Sequence, residues 1–322
     1  MRCAHNFIVP QGHFIAQHFI AQHFIAQHFI AQHFIAQHFF AQHFIGEAIS
    51  FLSEVFMRIG IFDSGLGGLT GYRALRELLP AHDLIYFGDN ARVPYGTKSG
   101  EVICRFALQD VRFLLSQKVE AVLVACGTVS SNALELLERT FPLPFVGVVE
   151  PAAKRAAEIA AAGNGRVLVL GTAATVGSGA YEKAIKAIDP AIRVESVACP
   201  MFVPLAENGF TQKGDLAATE IAKRYLKPYE AFSPDAMILG CTHFPLLSDI
   251  LTDVLPAPLQ VSAGEEAAKA MAKAALALSP AAGTGQDLFF TSDDPEAFRK
   301  NAAAFLGRPI TAEIKRIEIE KY

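Results

Sequence analysis

The 322-residue sequence has no tryptophan, few cysteines and no block of basic residues. Its five cysteines, Cys3, Cys104, Cys126, Cys199 and Cys241, form no CxxC pair. This spacing argues against a disulfide framework or a zinc site and favours a reducing, cytoplasmic compartment. With a net charge of −4 and no basic stretch, the chain is not expected to bind nucleic acid. No apolar run approaches the roughly 20 residues of a membrane span, and no secretory signal is evident, so we expect no membrane partner.

Residues 13–45 repeat the pentapeptide His-Phe-Ile-Ala-Gln. A period of five suits neither a helix, around which successive copies rotate by about 140°, nor a strand, on which they alternate between faces. A metal-binding histidine tract and a membrane-surface segment are alternatives, although basic residues are missing for the second. We favour an expanded coding repeat or a wrongly chosen start, so that residues 1–56 form a low-complexity extension, disordered or not translated. The sequence after Met57 is typical of a domain's opening strand.

The rest of the chain alternates short apolar runs with helical stretches rich in alanine and leucine. Such alternation predicts parallel α/β sheets, and runs that are apolar throughout are typical of strands covered on both faces. The predicted strands are 58–62, 84–87, 121–125, 145–149, 166–170, 194–198 and 236–239. The predicted helices are 69–79, 102–117, 131–140, 152–161, 180–187, 216–226 and 265–277.

Two segments of the chain echo each other. Residues 121–128 read Ala-Val-Leu-Val-Ala-Cys-Gly-Thr, and residues 236–242 read Ala-Met-Ile-Leu-Gly-Cys-Thr. The opening strands of the two halves are also similar, which suggests two related α/β domains. Ligands of such sheets bind beyond the carboxyl ends of the strands. If the domains face each other, Cys126 and Cys241 therefore line one cleft.

Two facing thiols suit the racemisation of an amino acid. The α-proton is weakly acidic, and two bases solve the geometry when one abstracts as a thiolate and the other donates as a thiol. Cysteine can do both because neighbours shift its pKa from about 8.5. No lysine lies in a motif typical of a pyridoxal Schiff base, so no cofactor is expected. We interpret Cys104 and Cys199 as small buried hydrophobic residues.

The loop at residues 63–68, Asp-Ser-Gly-Leu-Gly-Gly, follows the first strand and opens a helix. Its glycines let backbone N–H groups approach an anion. Thr70 interrupts the G-x-G-x-x-G pattern of nucleotide loops, so a carboxylate is the favoured anion. Asp63 either binds an ammonium group, tunes Cys126 or caps the helix.

Two further side chains carry alternatives. His243 lies two positions after Cys241 and is placed to modulate that thiol or relay a proton. Arg92 either binds a carboxylate or pairs with the aspartate near it in sequence for structural reasons.

Five segments occur in the same order as in glutamate racemases, which the chain resembles from Met57 nearly to its C-terminus. They are residues 63–69, 86–96, 171–181, 199–209 and 239–247. The resemblance implies two pseudo-symmetric α/β domains with mostly parallel sheets and the active site between them. The first domain is 57–151 plus 263–322, and the second is 152–262.

The resemblance also implies roles for individual residues in a cofactor-independent, metal-free interconversion of L- and D-glutamate. Cys126 and Cys241 are the two acid/base catalysts, and Asp63, Glu207 and His243 support them. The implied substrate contacts are Asp63, Ser64, Tyr95, Gly96, Gly127, Thr128, Thr242 and His243. The product, D-glutamate, feeds bacterial peptidoglycan synthesis. We also expect a homodimer.

Two positions depart from the family's usual pattern. Gly127 stands where the family usually has asparagine. We expect the loss of one amide hydrogen bond to the substrate, worth about 0.5–1.5 kcal/mol, or else room for a bulkier substrate. Near Ser262 the family more often has aspartate, and we have no physical explanation for that change.

Other functions fit parts of the pattern. An aspartate racemase is the nearest, but that branch usually carries an acidic residue where this chain has His243. A one-cysteine decarboxylase is disfavoured because both cysteines are present. A non-catalytic binding protein, or an inhibitor of a nucleic-acid enzyme, on the same fold is the alternative from another class.

Overall fold

The computed structural model describes residues 57–279 and 283–322, and the prediction for residues 1–56 lies outside them. The strands are β1 (Arg58–Asp63), β2 (Asp83–Gly88), β3 (Ala121–Val124), β4 (Phe145–Gly147), β5 (Arg166–Gly171), β6 (Arg193–Ala198), β7 (Ala236–Leu239), β8 (Leu259–Ser262), β9 (Asp287–Thr291) and β10 (Ile314–Arg316). They form two sheets, in the orders β10-β9-β2-β1-β3-β4 and β6-β5-β7-β8. All the strand pairs are parallel, which confirms the predicted fold class.

The helices of the described residues connect these strands. They are α1 (Leu69–Leu78), α2 (Gly100–Ser116), α3 (Gly127–Asn132), α4 (Leu134–Thr140), α5 (Val149–Ala161), α6 (Ala173–Gly177), α7 (Ala180–Ile188), α8 (Phe202–Glu207), α9 (Leu216–Leu226), α10 (Ser248–Val254), α11 (Ala263–Leu278) and α12 (Pro295–Leu306). The continuous helix predicted for 131–140 is wrong, because Ala133 leaves helical geometry at φ −129° and separates α3 from α4. Among the described helices, none combines the length and apolar character that crossing a membrane requires.

The strand register places each cysteine at the carboxyl end of a strand in the equivalent position of its own sheet. In the first sheet Phe62 of β1 pairs with Val124 of β3, so the carboxyl ends of both strands lie side by side. In the second sheet Leu170 of β5 pairs with Leu239 of β7. Each cysteine follows the strand that lies next to the first strand of its own sheet, as the internal echo predicts.

One apolar core joins the two sheets. It contains Ile59 and Ile61 from β1 together with Val167 and Val169 from β5. The buried faces of α5 and α11 contribute mainly alanines to this core, and small side chains allow helices to pack closely. The described residues from Met57 onward form one compact unit, so the carboxyl ends of the strands in the two sheets are held at a fixed spacing.

Candidate active site

The carboxyl ends of strands from both sheets border a cleft of about 290 Å³. All the predicted site residues line it except Asp63, which is buried beside Cys126. The lining residues from the prediction are Ser64, Tyr95, Gly96, Cys126, Gly127, Thr128, Glu207, Cys241, Thr242 and His243. In the described part of the chain, no group of three or more His, Cys, Asp or Glu side chains is arranged to hold a metal ion.

Cys126 lies on the side of the cleft that the first sheet forms. It follows β3, precedes α3 and is 5% exposed. Its thiol donates a hydrogen bond to Ser64 Oγ at 3.6 Å. Burial, together with the nearby charge of Asp63, raises the pKa of Cys126 to about 12. The thiol is therefore protonated at neutral pH and is poised as a proton donor.

Asp63 is the last residue of β1 and is fully buried beside that thiol. Its Oδ2 accepts a hydrogen bond from the Gly65 N–H at 3.0 Å, while Oδ1 has no partner among the described residues. Burial raises the pKa of Asp63, and the positive charge of His243 offsets part of this effect. Helix α1 has Gly68 as its N-cap, without a side-chain hydrogen bond, so the capping interpretation of Asp63 is wrong.

Cys241 lies on the second sheet's side in a different setting. It follows β7 after Gly240, is half-buried, and its Sγ lies 3.9 Å from His243 Nδ1. The Nε2 atom of the same imidazole lies 3.1 Å from Glu207 Oε1. Burial lowers the pKa of His243, but its hydrogen bonds to Cys241 and Glu207 outweigh this effect and raise the pKa to about 10. A protonated imidazole beside a cysteine stabilises the thiolate.

A chain of hydroxyls crosses the cleft between the two sheets. Thr128 Oγ1, in α3, lies 3.0 Å from Thr172 Oγ1, which follows β5. Thr172 Oγ1 also lies 3.0 Å from Thr175 Oγ1. Sequence reasoning did not assign Thr172, although its position directly after a buried strand is the signal that identified both cysteines.

The Arg92 guanidinium is held outside the cleft by two buried carboxylates. It lies 2.6 Å from Asp89 and 2.9 Å from Asp110, which supports the structural interpretation of this arginine. The Tyr95 hydroxyl donates to Asp89 and lies 3.2 Å from Oδ2 of Asp110. Burial and the neighbouring Asp89 raise the pKa of Asp110 well above its usual range. This network fixes the segment that brings Tyr95 and Gly96 to the cleft.

Comparisons with known proteins identify the family of this chain. The model of the Asp/Glu/hydantoin racemase family matches residues 67–272. A glutamate racemase of Geobacter metallireducens is 42% identical over 266 residues, which are 81% of this chain and 97% of the relative. The chain belongs to the Asp/Glu/hydantoin racemase family. It is therefore an isomerase.

Crystal structures of racemases share the fold. That of glutamate racemase from Francisella tularensis in complex with D-glutamate has a TM-score of 0.75 at 32% identity, and covers 83% of this chain and 99% of its own. That of glutamate racemase from Thermus thermophilus in complex with β-chloro-D-alanine has a TM-score of 0.73 at 40% identity, with the same coverage. The predicted family and its α/β architecture are confirmed.

Several residues of this racemase's cleft were not assigned from sequence. Besides Thr172, they are Gly65, Val93, Pro94, Thr97, Ala173, Cys199, Pro200, Val203 and Pro204. Cys199 is fully buried in the core beneath the second sheet, where burial raises its pKa, as expected for a packing residue. These mostly apolar or small residues contribute shape rather than charge, so nothing in their local sequence marks them as part of a cleft.

Proposed function

We propose that this racemase interconverts L- and D-glutamate, with Cys126 and Cys241 as its two acid/base groups. The observation that carries the proposal is that two thiols, each following a strand of a different parallel sheet, line the same cleft. A substrate carbon held between them presents one face to each thiol. Removal of a proton from one face and delivery to the other inverts the configuration.

The reaction balances without a redox step. One thiolate breaks the Cα–H bond and takes the proton, while the electron pair stays on Cα and its carboxyl group. The opposite thiol then gives its proton to the other face of Cα and becomes a thiolate. The enzyme ends with its proton on the sulfur that began as the thiolate, and exchange with solvent restores the first state. We infer that no cofactor takes part.

The surroundings of the two thiols differ in charge. Cys241 lies beside His243, whose pKa is raised to about 10 by Cys241 and Glu207 against the effect of burial, so a thiolate there faces a cation. Burial and Asp63 keep Cys126 protonated. From the family resemblance we infer that Cys241 abstracts the proton of L-glutamate and Cys126 that of D-glutamate. Asp63 is the carboxylate placed to accept the Cys126 proton when that thiol must act as a base.

Substrate recognition rests on hydroxyl and backbone donors at the ends of the strands. We propose contacts from Ser64, Tyr95, Gly96, Gly127, Thr128, Thr242 and His243, whereas Asp63, which does not line the cleft, acts through Cys126. Hydroxyls and N–H groups suit the two carboxylates of glutamate. Because the Tyr95 hydroxyl is already engaged by Asp89 and Asp110, this residue contributes its backbone.

We further propose a division into one domain of 57–151 plus 263–322 and another of 152–262. The strands of the two sheets fall on either side of these boundaries. From the family we infer a homodimer that works in the cytoplasm and supplies D-glutamate for peptidoglycan synthesis.

The direct test is a racemisation assay without added cofactor. Purified protein is incubated with L-glutamate or L-aspartate, and the optical signal of each solution is followed to its decay. We expect decay to zero for glutamate and a much slower change for aspartate. Faster racemisation of aspartate would show that aspartate is the preferred substrate. Binding of glutamate without any racemisation would show that the protein is a binding module.

A further inference from the structure

The two cysteine loops contact each other through glycine backbones. A Cβ atom added to Gly127 would lie 2.1 Å from the carbonyl oxygen of Gly240 and 3.8 Å from the Cα of Cys241. Real Cβ atoms do not approach backbone oxygens so closely, so any side chain at 127 must move one loop away from the other. The asparagine that the family resemblance leads us to expect there does not fit this spacing.

Gly240 has no room to retreat on its other side. A Cβ atom on Gly240 would lie 2.7 Å from the Leu170 carbonyl oxygen and 3.0 Å from Tyr181 Cε2. The Gly240 N–H also donates to that same oxygen at 2.8 Å, which holds it on β5. The Tyr181 ring is 2% exposed, so it is held by packing. The second cysteine's loop is therefore wedged between Gly127 and a fixed aromatic ring.

We propose that Gly127 and Gly240 form a spacer that fixes the separation of the two thiols. Cys126 directly precedes Gly127, and Cys241 directly follows Gly240, so each thiol lies one residue from the contact. The inference rests on the proposed two-thiol racemisation and adds positioning residues to it. In this spacer Gly127 acts by lacking a side chain, while its backbone N–H stays available for the substrate contact proposed above.

The spacer matters for inversion more than for proton exchange. Exchange needs one thiolate, which takes the α-proton, trades it with solvent and returns a solvent proton to the same face. Inversion needs the opposite thiol within reach of the same carbanion. A displacement of about 1 Å at reacting groups can lower a rate about 100-fold. A side chain at 127 should therefore reduce inversion while exchange at one face persists.

The test compares Gly127→Ala and Gly127→Asn with Gly100→Ala in the full-length protein. Gly100 is also the first residue of its helix, and a Cβ atom there meets nothing within 4 Å. In deuterium oxide, each enantiomer of glutamate is followed for inversion by chiral separation, and for deuterium at Cα of the unconverted enantiomer by mass spectrometry. We expect both Gly127 variants to lose about 100-fold in inversion and to show a lower ratio of inversion to exchange. Gly100→Ala should match the wild type.

The outcomes separate the spacer from the proposed function. A missing amide contact predicts instead that Gly127→Asn binds glutamate up to about tenfold better, and that result would overturn the spacer. An unchanged ratio of inversion to exchange in Gly127→Ala would do the same. So would a Gly127→Ala chain that does not fold, because a contact at a cleft edge should be dispensable for folding. Absence of both inversion and exchange in the wild type would instead refute the proposed function.

Discussion

The Cys126 and Cys241 sides of the cleft have the same scaffold and different electrostatics. Both cysteines follow a parallel strand next to the first strand of their sheet. Cys126 is buried beside a carboxyl group, whereas Cys241 is half-buried beside an imidazole. A repeated backbone thus supplies the symmetry that the proposed inversion uses, while burial and the neighbouring Asp63 raise the pKa of Cys126.

Thermodynamics limits where this difference is visible. The two enantiomers of glutamate have equal free energies, so kcat/KM must be the same in both directions at every pH. The asymmetry of the thiols can appear in kcat and KM separately, in isotope exchange from one enantiomer, and in the chemical reactivity of each sulfur.

Removal of either thiol should have the largest effect. We expect Cys126→Ala and Cys241→Ala each to abolish racemisation, because a positioned acid or base contributes about 100- to 10,000-fold. Cys126→Ser should lose α-deuterium exchange from D-glutamate but keep it from L-glutamate, and Cys241→Ser should do the reverse. Exchange is measured by mass spectrometry in deuterium oxide.

Cys104→Ser is the matched control for this pair. Cys104 is half-buried and hydrogen-bonds the Asn132 carbonyl oxygen, away from the cleft. This variant should keep wild-type turnover. Near-normal racemisation in either Cys126→Ala or Cys241→Ala would show that two thiols are not required.

Alkylation should separate the two thiols by their ionisation. With a pKa raised to about 12 by burial and Asp63, about one part in ten thousand of Cys126 is thiolate at pH 8. We expect iodoacetamide to modify the half-buried Cys241 faster than the buried Cys126 at pH 8, and Cys126 to react about tenfold faster for each pH unit between 7 and 9.5. Peptide mass spectrometry gives both rates, with Cys104 as internal reference. Equal alkylation rates for Cys126 and Cys241 would show that the surroundings of the two thiols do not make their reactivities differ.

Glu207→Gln should weaken the Cys241 side alone. Glu207 helps to raise the pKa of His243, so its loss lets His243 deprotonate at lower pH. The Glu207 side chain is 44% exposed, and solvent screening reduces the effect of such a pair. We expect kcat from L-glutamate at pH 9 to fall by about three- to tenfold, with less change in exchange from D-glutamate. Equal losses of kcat from L-glutamate and of exchange from D-glutamate would assign Glu207 a purely structural role.

The same variant tests a stability effect of defined sign. The pKa of His243 is about 10 in the folded protein, above its ordinary 6.5. Its protonation therefore stabilises the fold fully below about pH 6.5, and this contribution is lost as the pH rises through 10. Between pH 6.5 and 10, Tm of the wild type should fall more steeply than Tm of Glu207→Gln.

The sequence predicts those strands and helices whose local pattern of apolar and polar residues is distinctive. The buried strands before Cys126 and Cys241 read as continuous apolar runs because helices cover both of their faces. β8 was missed, since it is an edge strand in which Leu259 is 61% exposed and Gln260 is polar. β9, β10 and α12 were also missed, although they complete the first sheet and its helical cover.

The site was predictable residue by residue and less so as a geometry. Strand ends and the family resemblance predicted both cysteines, His243 and Glu207 as site residues, and the structure adds the 3.1 Å contact between the last two. The environment of Arg92 was left open, because its partner Asp110 lies in the next helix, 18 residues further on. The contact of Gly127 with Gly240 depends on how two distant loops meet. A glycine next to a cysteine in the sequence does not predict that the two loops contact each other.

The smallest expected effect is that of deleting residues 1–56. Every side chain that distinguishes the two thiols lies between Asp63 and His243, and the Geobacter relative is matched over 97% of its length by 266 residues. We therefore expect residues 57–322 alone to keep kcat for each enantiomer and the alkylation ratio of the thiols within about twofold, with little change in Tm. Side-by-side assays of the two proteins at equal concentration measure this. If the deletion lowers Tm sharply or changes one thiol's alkylation rate and not the other's, the N-terminal segment takes part in the asymmetry, and an explanation from the cleft residues alone is incomplete.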